Sequence, residues 1–158
     1  MRLPDDLSAY GDERLRTVLR VDLGLLAVAD RLRQHWAARA SAVGLSNAQV
    51  KVLLLLAPGE TVSMRGLAVR LDYDASNLST LVDRLERRGA VERRADPRDR
   101  RIKALALTAE GERLRETFWR GLVEDPGPLS PLGEDQLRAL ASLLDVLNTA
   151  DASAPAAP

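Results

Sequence analysis

From Asp12 to Arg39 the chain carries no proline and one glycine, Gly24. Apolar residues return at helical spacing through this stretch: Leu15, Val18, Leu19, Leu25, Leu26, Ala29, Leu32 and Trp36. The pattern predicts a single helix about 40 Å long at roughly 1.5 Å per residue. In a chain of 158 residues such a helix outreaches one compact domain. Part of its apolar stripe must therefore pack on something else, and a second copy of the chain is the economical choice.

Composition points the same way. Hydrophobic residues make up 46% of the chain and aromatic residues only 3%, so the core must be aliphatic. Leu, Ala and Arg are strong helix formers, and a mainly helical fold is expected. The sequence has no cysteine, which removes disulfides, thiolate metal sites, cysteine nucleophiles and thiol redox sensing. A lone histidine, His35, cannot by itself build a metal site or a catalytic relay. No phosphate-binding glycine loop and no metal-ligand spacing occur, so neither a cofactor nor an enzymatic activity is expected. The N-terminal stretch carries Asp5 and Asp6 and lacks the apolar core of a signal peptide. The longest apolar run, Val52 to Ala57, falls far short of the roughly 18 residues that span a bilayer. The expectation is a cytoplasmic chain with no membrane partner.

Capping signals divide the middle of the chain. Ser46-Asn47-Ala48-Gln49 is a capping box opening a helix to Ala57, which Pro58-Gly59 stops. Ser63 can cap a short helix from Met64 to Leu71, with Leu67, Ala68 and Leu71 inward. Asp72 and Tyr73 then form a tight turn, and Asp74 caps a helix from Ala75 to Arg88, with Leu78, Leu81, Val82 and Leu85 on one face. Gly89 ends it. Ala90 to Arg94 and Ile102 to Leu107 read as two strands of a hairpin, whose tip from Ala95 to Arg101 is rich in turn formers and arginine. Thr108 caps a further helix through Leu114, Phe118 and Leu122, and prolines at 126, 128 and 131 break it. A last helix runs from about Glu134 to Leu147.

Short helix, tight turn, second helix and basic hairpin is the order of a winged helix-turn-helix. The whole chain is formally neutral, but between Asp83 and Lys103 nine basic residues face five acidic ones. Charge is thus concentrated where it could meet a phosphate backbone. On the helix opening at Asp74 the outward positions read as Ser76, Asn77, Ser79 and Thr80, short donors and acceptors suited to base edges in a major groove. Arg84 follows one turn later, within reach of a phosphate or a guanine. The hairpin arginines Arg98, Arg100 and Arg101 could enter an adjacent minor groove, where the potential is most negative. The bland alternatives are a solvated helix face and locally paired surface charge.

The stretch from Leu45 to Glu116 resembles the MarR (multiple antibiotic resistance regulator) family. The resemblance rests on Leu45-Ser46-Asn47-Ala48-Gln49, Leu67-Ala68-Val69-Arg70-Leu71, Leu81 to Gly89, Val91-Glu92-Arg93, Asp99-Arg100-Arg101 and Leu107-Thr108-Ala109-Glu110-Gly111. It implies a homodimer with the N- and C-terminal helices as its interface. It also implies a regulator, commonly a repressor, on pseudo-palindromic double-stranded DNA, released by a small aromatic or anionic effector. By motif position the helix opening at Asp74 is the recognition helix, Arg101 is the wing arginine of the minor groove, and Asp99 braces the wing. His35 and Trp36 sit where the family's ligand pockets form; core packing is the alternative for both. Two positions depart from the family pattern: Asp72 replaces the usual turn glycine, and Thr80 stands where relatives often carry arginine. The expected layout is a dimerisation helix (1–42), a winged helix-turn-helix (43–107), C-terminal dimerisation helices (108–150) and a disordered tail (151–158). The competing functions are a winged-helix module that binds protein, and a ligand-binding dimer without DNA binding.

Overall fold

A computed structural model describes residues 12–95 and 103–151. The proline-free stretch forms one helix of 30 residues, α1 (Glu13–Ala42). Asp12 caps it, its carboxylate accepting from the Leu15 amide at 2.9 Å. The Ser46 capping box is present with both reciprocal bonds and opens α2 (Asn47–Leu55). This helix stops two residues short of the expected Ala57.

Next comes a strand that the sequence pattern did not announce, β1 (Thr61–Ser63), followed by α3 (Met64–Leu71) and α4 (Ala75–Arg87). β2 (Val91–Ala95) and β3 (Lys103–Leu107) pair antiparallel, from Val91 opposite Leu107 out to Ala95 opposite Lys103. The two-stranded hairpin expected from sequence is therefore a three-stranded sheet of order β1-β3-β2. As the central strand, β3 buries both faces: Ala104 and Ala106 on one, Leu105 and Leu107 on the other.

Thr108 caps α5 (Ala109–Glu124), accepting from the Gly111 amide at 3.1 Å. A 3-10 turn (Gly127–Leu129) leads to α6 (Glu134–Asp151), four residues longer than its apolar pattern indicated. The core is predominantly aliphatic, in line with the composition. Val50 and Leu53 of α2 meet Leu78, Val82 and Leu85 of α4 and Leu114 of α5, with Phe118 the largest fully buried side chain. Each such side chain contributes about 1.5–3 kcal/mol over its exposed state.

The N- and C-terminal helices are less satisfied. α6 packs little on the other described elements and leaves Leu143, Val146 and Leu147 exposed. On α1, Leu15, Val18, Val21, Leu25 and Leu26 are exposed too. No helix among the described residues is long and apolar enough to cross a membrane.

Candidate nucleic-acid interface

The turn between α3 and α4 depends on a left-handed residue, and here it is an aspartate. Asp72 adopts φ 52° and ψ 48° and is the one non-glycine residue of positive φ among those described. Aspartate tolerates this region better than most residues, so the turn survives without glycine. The Asp72 and Tyr73 amides donate back to Val69 and Ala68, closing the end of α3.

Asp74 then opens α4. One carboxylate oxygen accepts from the Asn77 amide at 2.8 Å and from the Ser76 hydroxyl at 2.7 Å, and the other accepts from the Asn77 side-chain amide. These donors hold the Asp74 carboxyl below its ordinary value, the Asn77 backbone N–H most and the Ser76 hydroxyl next. Two of the four short polar residues read from sequence as donors and acceptors for base edges are therefore oriented by the cap. Asn77 keeps its side-chain carbonyl and a second N–H.

Ser76, Asn77, Thr80 and Arg84 are all exposed along one side of α4, opposite the buried Leu78, Val82 and Leu85. Ser79 differs from its expected outward position and is half-buried. At about 100° per residue it lies on the flank of the helix, between Ser76 and the buried Val82. The Thr80 hydroxyl donates to the Ser76 carbonyl at 3.1 Å. Arg84 makes no ion pair with any described residue. With Ala48, Tyr73, Asn77, Thr80 and Leu81 it lines an open groove of about 340 Å³.

The sheet is tied to this helix by one arginine. Arg93 of β2 donates to Asp83 at 2.6 Å and pairs with Glu86, both on α4. The Asp83 bond, more than the charge of Glu86, raises the guanidinium's pKa. β2 and β3 run in register as far as Ala95 and Lys103. The candidate wing-tip residues Arg98, Asp99, Arg100 and Arg101 lie outside the described residues, as do Ile102, the N-terminal 1–11 and the tail 152–158.

His35 and Trp36 lie at a packing corner between α1 and the end of α5. His35 Nε2 stands 3.0 Å from the Asp125 carbonyl, and Arg39 pairs with the Asp125 carboxylate. Trp36 meets Phe118 and Trp119 edge-on, with ring centroids 5.4 and 6.3 Å away. Neither residue lines the apolar groove of about 610 Å³ between α1, the 3-10 turn and α6, where Val21, Leu25, Leu32, Leu129 and Leu140 contribute. The described residues include no His, Asp and Glu cluster that could hold a metal.

A capped helix-turn-helix followed by an antiparallel sheet, with the second helix presenting a polar face, defines a winged helix-turn-helix protein. The MarR family's sequence profile matches residues 43–102. In Bacillus subtilis the HTH-type transcriptional regulator YfiV is 30% identical over 107 residues, 67% of each chain. The organic hydroperoxide resistance transcriptional regulator of the same organism is 30% identical over 105 residues, 64% of this chain and 69% of its own. Among solved structures, wild-type MarR (apo form) from E. coli is 25% identical with a TM-score of 0.68, covering 78% of this chain and 92% of that one. The chain belongs to the MarR family of winged-helix transcriptional regulators.

Proposed function

We propose that the chain is a homodimeric, sequence-specific DNA-binding repressor whose release from DNA is controlled by a small aromatic or anionic effector. The observation that carries the DNA part is the exposed side of α4, where Asn77, Thr80 and Arg84, which has no ion-pair partner among the described residues, share one face. A helix of this kind fits the major groove and reads bases through its N-terminal residues. The basic hairpin that follows supplies the phosphate and minor-groove contacts, with Arg101 at the groove and Asp99 bracing it.

Dimerisation is supported by the apolar residues left uncovered on α1 and α6, which a second copy would bury. Two recognition helices then address half-sites about 10 base pairs apart centre to centre. Repression is the simplest consequence, because a dimer seated over successive grooves excludes other proteins from the same DNA. Release follows when an effector prefers a dimer with wrongly spaced helices, and it acts only through that differential affinity. His35 and Trp36 are candidates for its contacts, beside the partly exposed Trp119. With no cysteine anywhere in the sequence, the signal is not thiol oxidation.

In-vitro selection from random duplex DNA tests the proposal. Enrichment of a pseudo-palindrome with half-sites one helical turn apart is the expected result. A pool that stays random after repeated rounds would refute it in favour of a protein-binding module.

A further inference from the structure

We propose that Arg88 is the strut that fixes the pose of α4 against the end of α1, and so sets the separation of the two recognition helices in the dimer. The inference rests on the dimeric DNA-binding reading above and names a positioning residue for it. Arg88 is the C-terminal cap of α4. Its guanidinium reaches over to the turn after α1, where Nη2 donates to the Val43 carbonyl at 2.7 Å and Nη1 donates to the Gly44 carbonyl.

Val43 is the C-terminal cap of α1, so the guanidinium sits at the negative end of that helix. Charge-assisted bonds of this kind are about twice as strong as neutral ones. The receiving turn is shaped for the contact. Gly44 has φ +68°, and a Cβ built there would stand 2.8 Å from Nη1. The positive φ favours glycine, and a side chain there would crowd the guanidinium out of its present position. Glu110, at the start of α5, feels the same charge: Arg113 is the main cause of its lowered pKa, and Arg88 adds to it.

The clasp matters because of what else joins the two helices. α1 packs chiefly on α2, α5 and the 3-10 turn, whereas α4 packs on α2, α3 and β2. Through α2 the coupling is apolar packing, and helix crossing angles set that way scatter by about 15–20°. A tilt of only about 10° over the roughly 45 Å of α1 moves its far end by about 8 Å. That is a large error for helices that must enter grooves about 34 Å apart. Directional bonds from Arg88 to two carbonyls at the pivot remove this freedom.

The test uses Arg88→Lys and Gly44→Ala. Lysine keeps the charge but cannot span both carbonyls. The alanine disturbs the clasp from the other side without changing charge. Because the chain has no cysteine, Thr80→Cys provides a unique attachment point for a spin label on α4, and the distance between labels in the dimer can be read without DNA. A narrow distribution is expected in the otherwise unaltered chain, broadening by about 8 Å, the lever estimate above, in both variants with circular dichroism unchanged.

The second readout is binding to the selected operator with one base pair added or removed between half-sites. Losing one half-site's specific contact costs at least about 30-fold, the square root of a thousandfold specificity. That penalty should fall to about threefold in Arg88→Lys and Gly44→Ala, while affinity for a single half-site stays the same. An unchanged distance distribution in both variants would overturn the strut, whatever the DNA result. So would equal losses on every spacing in Arg88→Lys alone, which would make Arg88 a phosphate contact. Failure to bind DNA with normal broadening of the distances would instead overturn the DNA reading and leave the strut standing.

Discussion

Asp74 performs two tasks with one carboxylate. It caps α4, and it holds the Asn77 side chain in place through a second bond. Asn77→Ala should therefore relax base preference more than it lowers non-specific affinity, as compared on operator and scrambled DNA. Equal losses on both would contradict a base-reading role. The cap also has a pH signature. A carboxyl whose pKa is depressed by folding stabilises fully above its unfolded value and loses that contribution as pH falls through its folded one. Asp74 is lowered mainly by the Asn77 amide, and Asp125 mainly by the Gly127 amide with Arg39 next. Melting temperature should thus begin to fall below about pH 4. Asparagine caps as well as aspartate but does not titrate. Asp74→Asn should make that fall shallower in thermal melts recorded from about pH 5 downward, and an unchanged slope would remove Asp74 from the account.

Among the elements, local signals and non-local ones divided cleanly. The caps at Ser46, Ser63, Asp74 and Thr108 were legible because a cap and its target amide lie within three residues of each other. The turn at Asp72 was legible for the same reason. β1 was not, since three residues show no alternation and the strand exists only by pairing with Ala104 to Ala106. Nor did periodicity reveal why Gly111 ends the Thr108-Ala109-Glu110-Gly111 motif. A Cβ at this position would overlap the Ala90 carbonyl oxygen, whose own bond comes from the Thr108 amide. Gly111→Ala must push α5 away from the sheet, and overpacking of this kind costs about 1–3 kcal/mol. Chemical denaturation would show it, and a neutral result would mean that α5 shifts freely. In sequence Arg93 belongs to a basic segment, but its partners lie on α4, seven and ten residues back. With its side chain about a third exposed, Arg93→Ala should cost under about 1 kcal/mol of stability. Its larger effect should be on DNA affinity, because β2 loses its tie to α4.

At the scale of the whole molecule, the uncovered residues of α1 and α6 are those the proposed dimer would bury. Leu143, Leu144, Val146 and Leu147 are all exposed on one terminal helix, far more than a lone subunit needs. The melting temperature should rise with protein concentration, as it does when folding is linked to association. Leu144→Glu should shift sedimentation from dimer to monomer, and a concentration-independent melt would count against the dimer. The long helix itself was legible because a proline-free apolar stripe that outreaches a domain is visible in sequence alone. The clasp at Arg88 was invisible there, since its acceptors are backbone carbonyls 44 and 45 residues away.

The most direct measurement is fluorescence anisotropy of the purified chain on its selected operator and on scrambled DNA, at about 50 and 200 mM salt. Operator binding should be the tighter and should weaken by about 10³-fold or more between those salts. Arg101→Ala should cost about 1–3 kcal/mol of that affinity. Weak binding that is the same on both DNAs and indifferent to salt would contradict the account at its centre.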